Sequence, residues 1–453
     1  MLTRDPPGVF PLHLAPIDRM FLNEDHDRFP MTSVIHFDFS GIVQIEALDQ
    51  AVAQAQKRHP LLRAIIKPVK QNRICWVAAT QAAPPMEFGT LGEPLKLVDG
   101  EAIDLHRQVG LRLWVQTGAD RSRLTVQVHH ACTDGTGIYR FLGDLLAVYA
   151  SLTDPARPPL ELVNLDPRLL RQRRTKMADR AIHGTAWQFV VNGLSYAKQL
   201  LATRISQLRA PEPSEPGAAA APFPGICKQV FDRQSHDQLR DKAAAHGAML
   251  NDLLVAEFLR TIDGWNSDHG DRAGGKRIRV VMPSDLRDQA DFEMPAANMT
   301  AYTFITRRRR ECRDFAQLVA SVRDETAQIK FRAIGKSFVD AVMFLEYVPK
   351  VWALFRSNRI CMATATLSNI GDPTKRFLTK LPRSDGRLVC GNLTLEEISG
   401  VPPLRAGNNV TLAIFTYRRQ LIICLRCDPY RFSLSDSQKL LERYVGQLRH
   451  HLD

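Results

Sequence analysis

Apolar and polar positions alternate along 31-MTSVIHFDFSG-41, the pattern of a strand with one face buried. Next, Ile45, Leu48, Val52 and Ala55 recur at helical spacing until Pro60 breaks the run. Short apolar stretches at 73-RICWVA-78 and 111-LRLWVQT-117 predict further strands. Past the turn Gly118–Ser122 the chain returns as RLTVQVHHA, which predicts a hairpin. Ile138, Phe141, Leu142, Leu145, Leu146 and Tyr149 then form the stripe of a helix packed on a sheet.

Residues 151–225 break this rhythm. Prolines at 155, 158, 159 and 167 open the segment, and 210-APEPSEPGAAAAPFPG-225 closes it as a linker. Between Asp166 and Arg209 nine Lys/Arg face only Asp166 and Asp179, interleaved with Trp187, Phe189, Leu194 and Tyr196. A basic, partly amphipathic helix there suits either an anionic membrane surface or packing across two domains, and the second is the more ordinary use. A second alternating half follows. Strands are predicted at KQVFD, RIRVVMPSDLR, MTAYTFITR and 361-CMATATLSNIGDP-373, the last broken at Gly371 and Pro373. Helices are predicted from Arg233 to Gly247 and from Leu250 onward, and VTLAIFTYRRQLIICLRCD is a hairpin folded at Arg418–Gln420.

The candidate chemistry lies in 124-LTVQVHHACTDGTG-137. If strand alternation continues, His130 shares the face of Leu124, Val126 and Val128, while His129 joins Thr125 and Gln127. His130 is then expected to point inward, as a neutral imidazole suited to general-base work, and His129 to support it with the polar set. Asp134 stands at a strand-to-helix junction, where a carboxylate stabilises the loop and the helix start; pairing with a distant arginine is preferred over a proton-relay role. Gly135 is expected to need a positive φ or the close approach of another segment. Neighbouring strand residues project to opposite faces, so His129 and His130 cannot both reach one metal, and no metal site is expected.

At 453 residues the chain is long enough for two domains. A net charge of +12 admits nucleic acid, an anionic membrane or an anionic cosubstrate. Nucleic-acid binding has no further support, since basic and aromatic residues interleave only in 166–209. The start has no apolar core of signal-peptide type, and eight scattered cysteines suit reduced thiols, so a cytoplasmic location is expected, with peripheral membrane contact through 166–209 as the open alternative. Cys424 and Cys427 form a C-x-x-C inside a strand-like run, a context that argues against redox or zinc chemistry.

HHACTDG has the form H-H-x-x-x-D-G and resembles the signature of the chloramphenicol acetyltransferase-like superfamily, which includes peptide-synthetase condensation domains. Supporting stretches follow in order: 58-RHPLLRA-64, Asn251-Asp252, 282-MPSDLR-287, 297-ANMTAYTF-304 and 368-SNIG-371. In appearance the chain is most similar to the wax ester synthase/diacylglycerol acyltransferase and polyketide-associated acyltransferase branches, although the P-L-W of wax ester synthases is only echoed by Leu113-Trp114.

The resemblance implies an α/β fold of two acetyltransferase-like domains, each a mixed sheet flanked by helices, with an active-site tunnel at their interface. The halves would be 1–165 and 226–453, bridged by 166–225. It also implies an acyltransferase. His130 would deprotonate a hydroxyl of a lipid-like alcohol as it attacks an acyl thioester, while Asp134 pairs with Arg287. Ser368, Asn369, Thr366 and Asn298 are candidates for the oxyanion or the tunnel wall. The expected cosubstrate is acyl-CoA or an acyl carrier protein thioester, with no tightly bound cofactor, and Arg307–Arg310 are candidates for coenzyme A phosphates. Amide formation with an amine acceptor is the alternative, and a non-catalytic binding module is less expected because His130, Asp134 and Gly135 are intact.

Overall fold

The computed structural model describes residues 8–69, 73–97, 99–156, 158–173, 191, 203–211, 222–271, 276–331, 335–345 and 361–452. Most of the basic segment 166–209 and of the linker 210–225 therefore lies outside the described residues, including the aromatic positions that suggested membrane contact. Among the described residues no helix is long and apolar enough to cross a membrane.

In chain order the elements of the first half are β1 (Leu12–His13), α1 (Pro16–Glu24), β2 (Thr32–Ser40), α2 (Ile45–Arg58), β3 (Ala64–Val69), β4 (Arg73–Ala78), β5 (Met86–Thr90), β6 (Leu111–Thr117), β7 (Arg121–His129) and α3 (Gly135–Thr153). There follow β8 (Cys227–Phe231), α4 (Arg233–Ala245), α5 (Leu250–Asp268), β9 (Arg277–Asp285), β10 (Thr300–Arg308), α6 (Phe315–Phe331) and α7 (Gly335–Leu345). The last are β11 (Ala365–Gly371), β12 (Arg383–Ser384), β13 (Arg387–Cys390), β14 (Leu393–Val401), β15 (Val410–Tyr417), β16 (Gln420–Cys427) and α8 (Leu434–Arg449).

Two compact units result, and neither is a contiguous half. The first joins Met1–Ala178 to Asp285–Thr300 and Asp372–Gly400. The halves expected at 1–165 and 226–453 differ from this partition because β12, β13 and β14 extend the first unit's sheet beside β2. That seven-stranded sheet runs β12-β13-β14-β2-β7-β6-β5, and a smaller sheet runs β1-β4-β3. β2, β7 and β6 pair antiparallel, whereas β5 runs parallel to β6. Helix α3 is buried continuously from Gly137 to Ala150, on more than the one face its apolar stripe predicts.

The second unit carries a six-stranded mixed sheet, β10-β9-β11-β15-β16-β8. β11 runs parallel to both β15 and β9, while β16 is antiparallel to β15 and β8. The β15–β16 hairpin turns through Arg418 and Arg419, both at positive φ, a tight turn between Tyr417 and Gln420. Leu253, Phe258 and Ile262 of α5 are buried with Leu412, Ile414 and Ile423 of that hairpin and with Leu440, Tyr444 and Leu448 of α8. Each unit is thus a mixed sheet with helices, the α/β architecture expected from the alternating pattern.

Candidate active site

β7 ends at His129, and this sets the site. The expected division of the two histidines by strand parity fails. His129 is fully buried, and His130 keeps partial exposure. Both faces of β7 are covered, and the polar one is internal: Thr125 Oγ1 meets His36 Nδ1 at 2.8 Å, and Gln127 Nε2 donates to Thr32 Oγ1 at 3.0 Å. His130 lies past the last strand residue, so alternation no longer governs its direction. His129 Nδ1 accepts the Ala131 N–H at 3.1 Å, which leaves the proton on Nε2, facing the Asp25 carboxylate at 3.3 Å.

His130 is held from several sides. Its N–H donates to the Met31 carbonyl at 2.7 Å, and its own carbonyl accepts from Asn298 Nδ2 at 2.7 Å. The Phe21 ring lies nearly parallel to the imidazole, with centroids 4.1 Å apart and an interplanar angle of 13°. Burial pushes the imidazole down to about 4, opposed by the nearby Asp134 charge and by a hydrogen bond to its own main-chain carbonyl, and assisted by His129. Nδ1 also lies 3.4 Å from Asn298 Nδ2. Among the described residues, Nε2 has no hydrogen-bond partner.

Asp134 caps α3. Its Oδ1 accepts the Gly137 N–H at 2.8 Å, while Oδ2 accepts from Arg287 Nη1 at 2.8 Å and from the Met299 N–H at 2.7 Å. Burial works to raise its pKa, but the Arg287 charge and these hydrogen bonds outweigh it and hold the carboxyl below its ordinary value. Arg287 also donates to Asp285 Oδ1 at 2.9 Å and to the Ala297 carbonyl at 2.7 Å. Burial disfavours the charged form of both partners, but each charge outweighs that cost for the other, and the Arg287 guanidinium is held above its ordinary range.

The expectation for Gly135 is corrected. It is exposed, has no positive φ, and a Cβ there would meet nothing. The tight position is Gly137, where a Cβ would stand 2.2 Å from Thr133 Oγ1 and 2.8 Å from the Ala297 carbonyl oxygen. Close approach therefore falls two residues later, where α3 meets the 296–300 segment. Asn298 is likewise committed: its amide holds the His130 carbonyl, and Oδ1 accepts the Thr300 N–H at 3.2 Å.

Sequence reasoning missed several residues around this constellation. Asp18 and Phe21 come from α1, whose apolar pattern is too short to stand out. Asp18 is fully buried and receives Arg173 Nη2 at 2.8 Å and Trp76 Nε1 at 3.1 Å. Arg173, from the start of the basic segment, is also buried, and its Nη1 donates to the Asn298 carbonyl at 3.3 Å. His59 of 58-RHPLLRA-64 is buried, with Nδ1 accepting the Ala296 N–H at 2.8 Å and Nε2 3.2 Å from Asp144 Oδ2. Asp144 also receives Arg58 at 2.7 Å. The signal in the sequence was charged residues inside apolar helical stripes: Asp18 beside Ile17 and Met20, Asp144 beside Leu145.

The remaining candidates belong to the second unit. Thr366 Oγ1 is spent on the Asn408 carboxamide at 2.6 Å, and Asn369 Nδ2 donates to Asn251 Oδ1 at 3.0 Å. Ser368 is partly exposed, and among the described residues its hydroxyl has no partner. β11 bulges between Asn369 and Gly371, whose φ of +64° suits glycine. Beside it lies a cavity of about 310 Å³, lined by residues that include Asn251, Met282, Thr303, Lys330, Leu367 and Asn369. Arg307 and Arg309 are engaged by Glu325 and Asp263, so only Arg308 and Arg310 of that run are exposed. Cys424 and Cys427 are buried in β16, three residues apart and hence on opposite strand faces.

No family model matches the chain. An uncharacterized protein of Mycobacterium tuberculosis is 25% identical over 325 residues, which are 70% of this chain and 72% of that protein. Polyketide synthase associated protein 5 of the same organism aligns with a TM-score of 0.63 at 17% identity, covering 96% of this chain and 97% of the other. The starter condensation domain of rhizomide synthetase, solved with C8-CoA and Leu-SNAC, aligns with a TM-score of 0.67 at 12% identity over 98% and 94% of the two chains. In fold the chain is therefore similar to condensation domains, each of its two units being a mixed sheet with helices.

Proposed function

We propose that the protein transfers an acyl group from a thioester to a hydroxyl, with His130 as general base. The observation that carries this reading is the setting of the His130 imidazole: it stacks on Phe21, burial keeps it neutral, and its Nε2 is unengaged among the described residues. Nε2 would take the hydroxyl proton as the oxygen attacks the thioester carbonyl. Collapse of the tetrahedral intermediate breaks the C–S bond, and the departing sulfur takes that proton from His130. The tetrahedral oxyanion needs a hydrogen-bond donor in this scheme. Asp134 relays no proton in this scheme, because both of its oxygens are engaged by Gly137, Met299 and Arg287.

Acyl-CoA or an acyl carrier protein is the donor in this reading, and a lipid-like alcohol the acceptor. Support comes from the solved relatives, one a polyketide synthase associated protein and one a condensation domain holding C8-CoA. Leu-SNAC in the latter structure favours amide formation as the second reading, since that ligand offers an amine. A panel of acyl-CoAs with alcohols and amines, followed by free-thiol release, separates them. Release that depends on alcohols and on His130 supports esterification. Dependence on amines alone transfers the proposal to the second reading, and release indifferent to His130→Ala sinks both.

A further inference from the structure

Helix α1 does more than cover the first unit. Phe21 is fully buried and stacks face to face on His130 from 109 positions earlier in the chain, at the 4.1 Å separation given above. The helix is fastened at both ends. Near its start, Asp18 accepts the Ala15 N–H, the Trp76 indole and two nitrogens of buried Arg173. Just past its end, Asp25 Oδ1 accepts the Met31 N–H at 2.7 Å, and Met31 in turn accepts the His130 N–H. Arg173 touches both supports of the histidine, α1 through Asp18 and the Asn298 carbonyl directly.

We infer that Phe21 is a positioning residue for His130: its ring, fixed by the Asp18–Arg173 anchor, sets the imidazole plane and shuts water from one face. The inference rests on the reading of His130 as the base. Among the described residues, the charged or titratable groups that face the imidazole are Asp134 at the head of α3 and His129 at the end of β7. α1 presents the uncharged Phe21 ring, and the 296–300 segment presents the neutral Asn298 amide. Opening the Phe21 side to water therefore relieves the desolvation that holds the ring neutral, and the midpoint rises.

Imidazole NMR of the full chain tests this together with steady-state kinetics. In the wild type, the ring current of Phe21 should move the His130 carbon-bound protons upfield, and ordinary shifts there overturn the inference. Phe21→Ala should raise the His130 midpoint from about 4 toward the ordinary 6.5. It should also lower kcat roughly 10-fold with KM changed less than about 2-fold, as expected of misorientation. If the Ala variant does not fold, Phe21→Leu fills the volume without a flat face and should show the same kcat loss and averaging of the two imidazole tautomers. A folded variant with unchanged titration, tautomer and kcat rejects the role. Should turnover prove independent of His130, the NMR outcome still decides the positioning claim, so the two readings fail separately.

Discussion

Arg287 Nη1 stands 2.8 Å from Asp134 Oδ2, with both side chains about nineteen-twentieths buried. The pair joins the cap of α3 to the segment between β9 and β10, 153 residues away in sequence. It fixes the turn that carries His130. It also places a full negative charge near the imidazole while leaving no oxygen of Asp134 free to take its proton.

His130→Ala should reduce acceptor-dependent thiol release by about 10²–10⁴-fold, the usual weight of a general base, with little change in melting temperature. His129→Ala should do the reverse. It removes a fully buried side chain facing Asp25 and should lower the melting temperature, with the smaller effect on rate. Equal rate losses in two equally stable variants would contradict this division. The acid limb of kcat/KM should fall near pH 4, since His130 stays neutral above that value.

Asp134→Asn should destabilise the fold by about 2–3 kcal/mol, because Arg287 keeps only the half-exposed Asp285 carboxylate as a charged partner. The wild-type carboxyl is held below its ordinary value, so its stabilisation is present above about pH 4 and lost as pH falls through the depressed folded value. His130, also depressed on folding, begins to cost stability earlier, as pH drops from about 6.5 toward 4. Urea unfolding from pH 7 to pH 3 should show both components in the wild type, and Asp134→Asn should flatten the lower one.

Gly137→Ala should cost about 1–3 kcal/mol, since the new methyl would press on Thr133 Oγ1 and the Ala297 main chain. Gly135→Ala should leave the unfolding midpoint nearly unchanged, because its methyl meets nothing. Thermal melts of the two variants check this directly. A larger loss at 135 would restore the conformational role first expected there.

Asp18→Asn should cost about 3–5 kcal/mol by leaving the Arg173 charge buried without its counterion. The double variant Asp18→Leu with Arg173→Met should recover much of that loss in denaturant unfolding, since an apolar pair needs no counterion. Without recovery, the ion pair would be no more than one contact among many.

What the sequence alone determined was local. Strong periodicities placed β2, α2, β7, α3, α5 and the β15–β16 hairpin, because alternation and helical spacing record which side of an element is buried. The short signals of α1 and of β12–β14 passed unseen, yet these elements supply Phe21 and complete the first sheet. Strand parity misjudged which histidine is buried, since parity ends with β7 and both of its faces are internal. Only tertiary structure could show which glycine meets the Ala297 main chain, or that Arg173 of the basic segment is spent on Asp18. Such contacts join positions more than 100 residues apart, and no pattern of neighbours along the chain carries them.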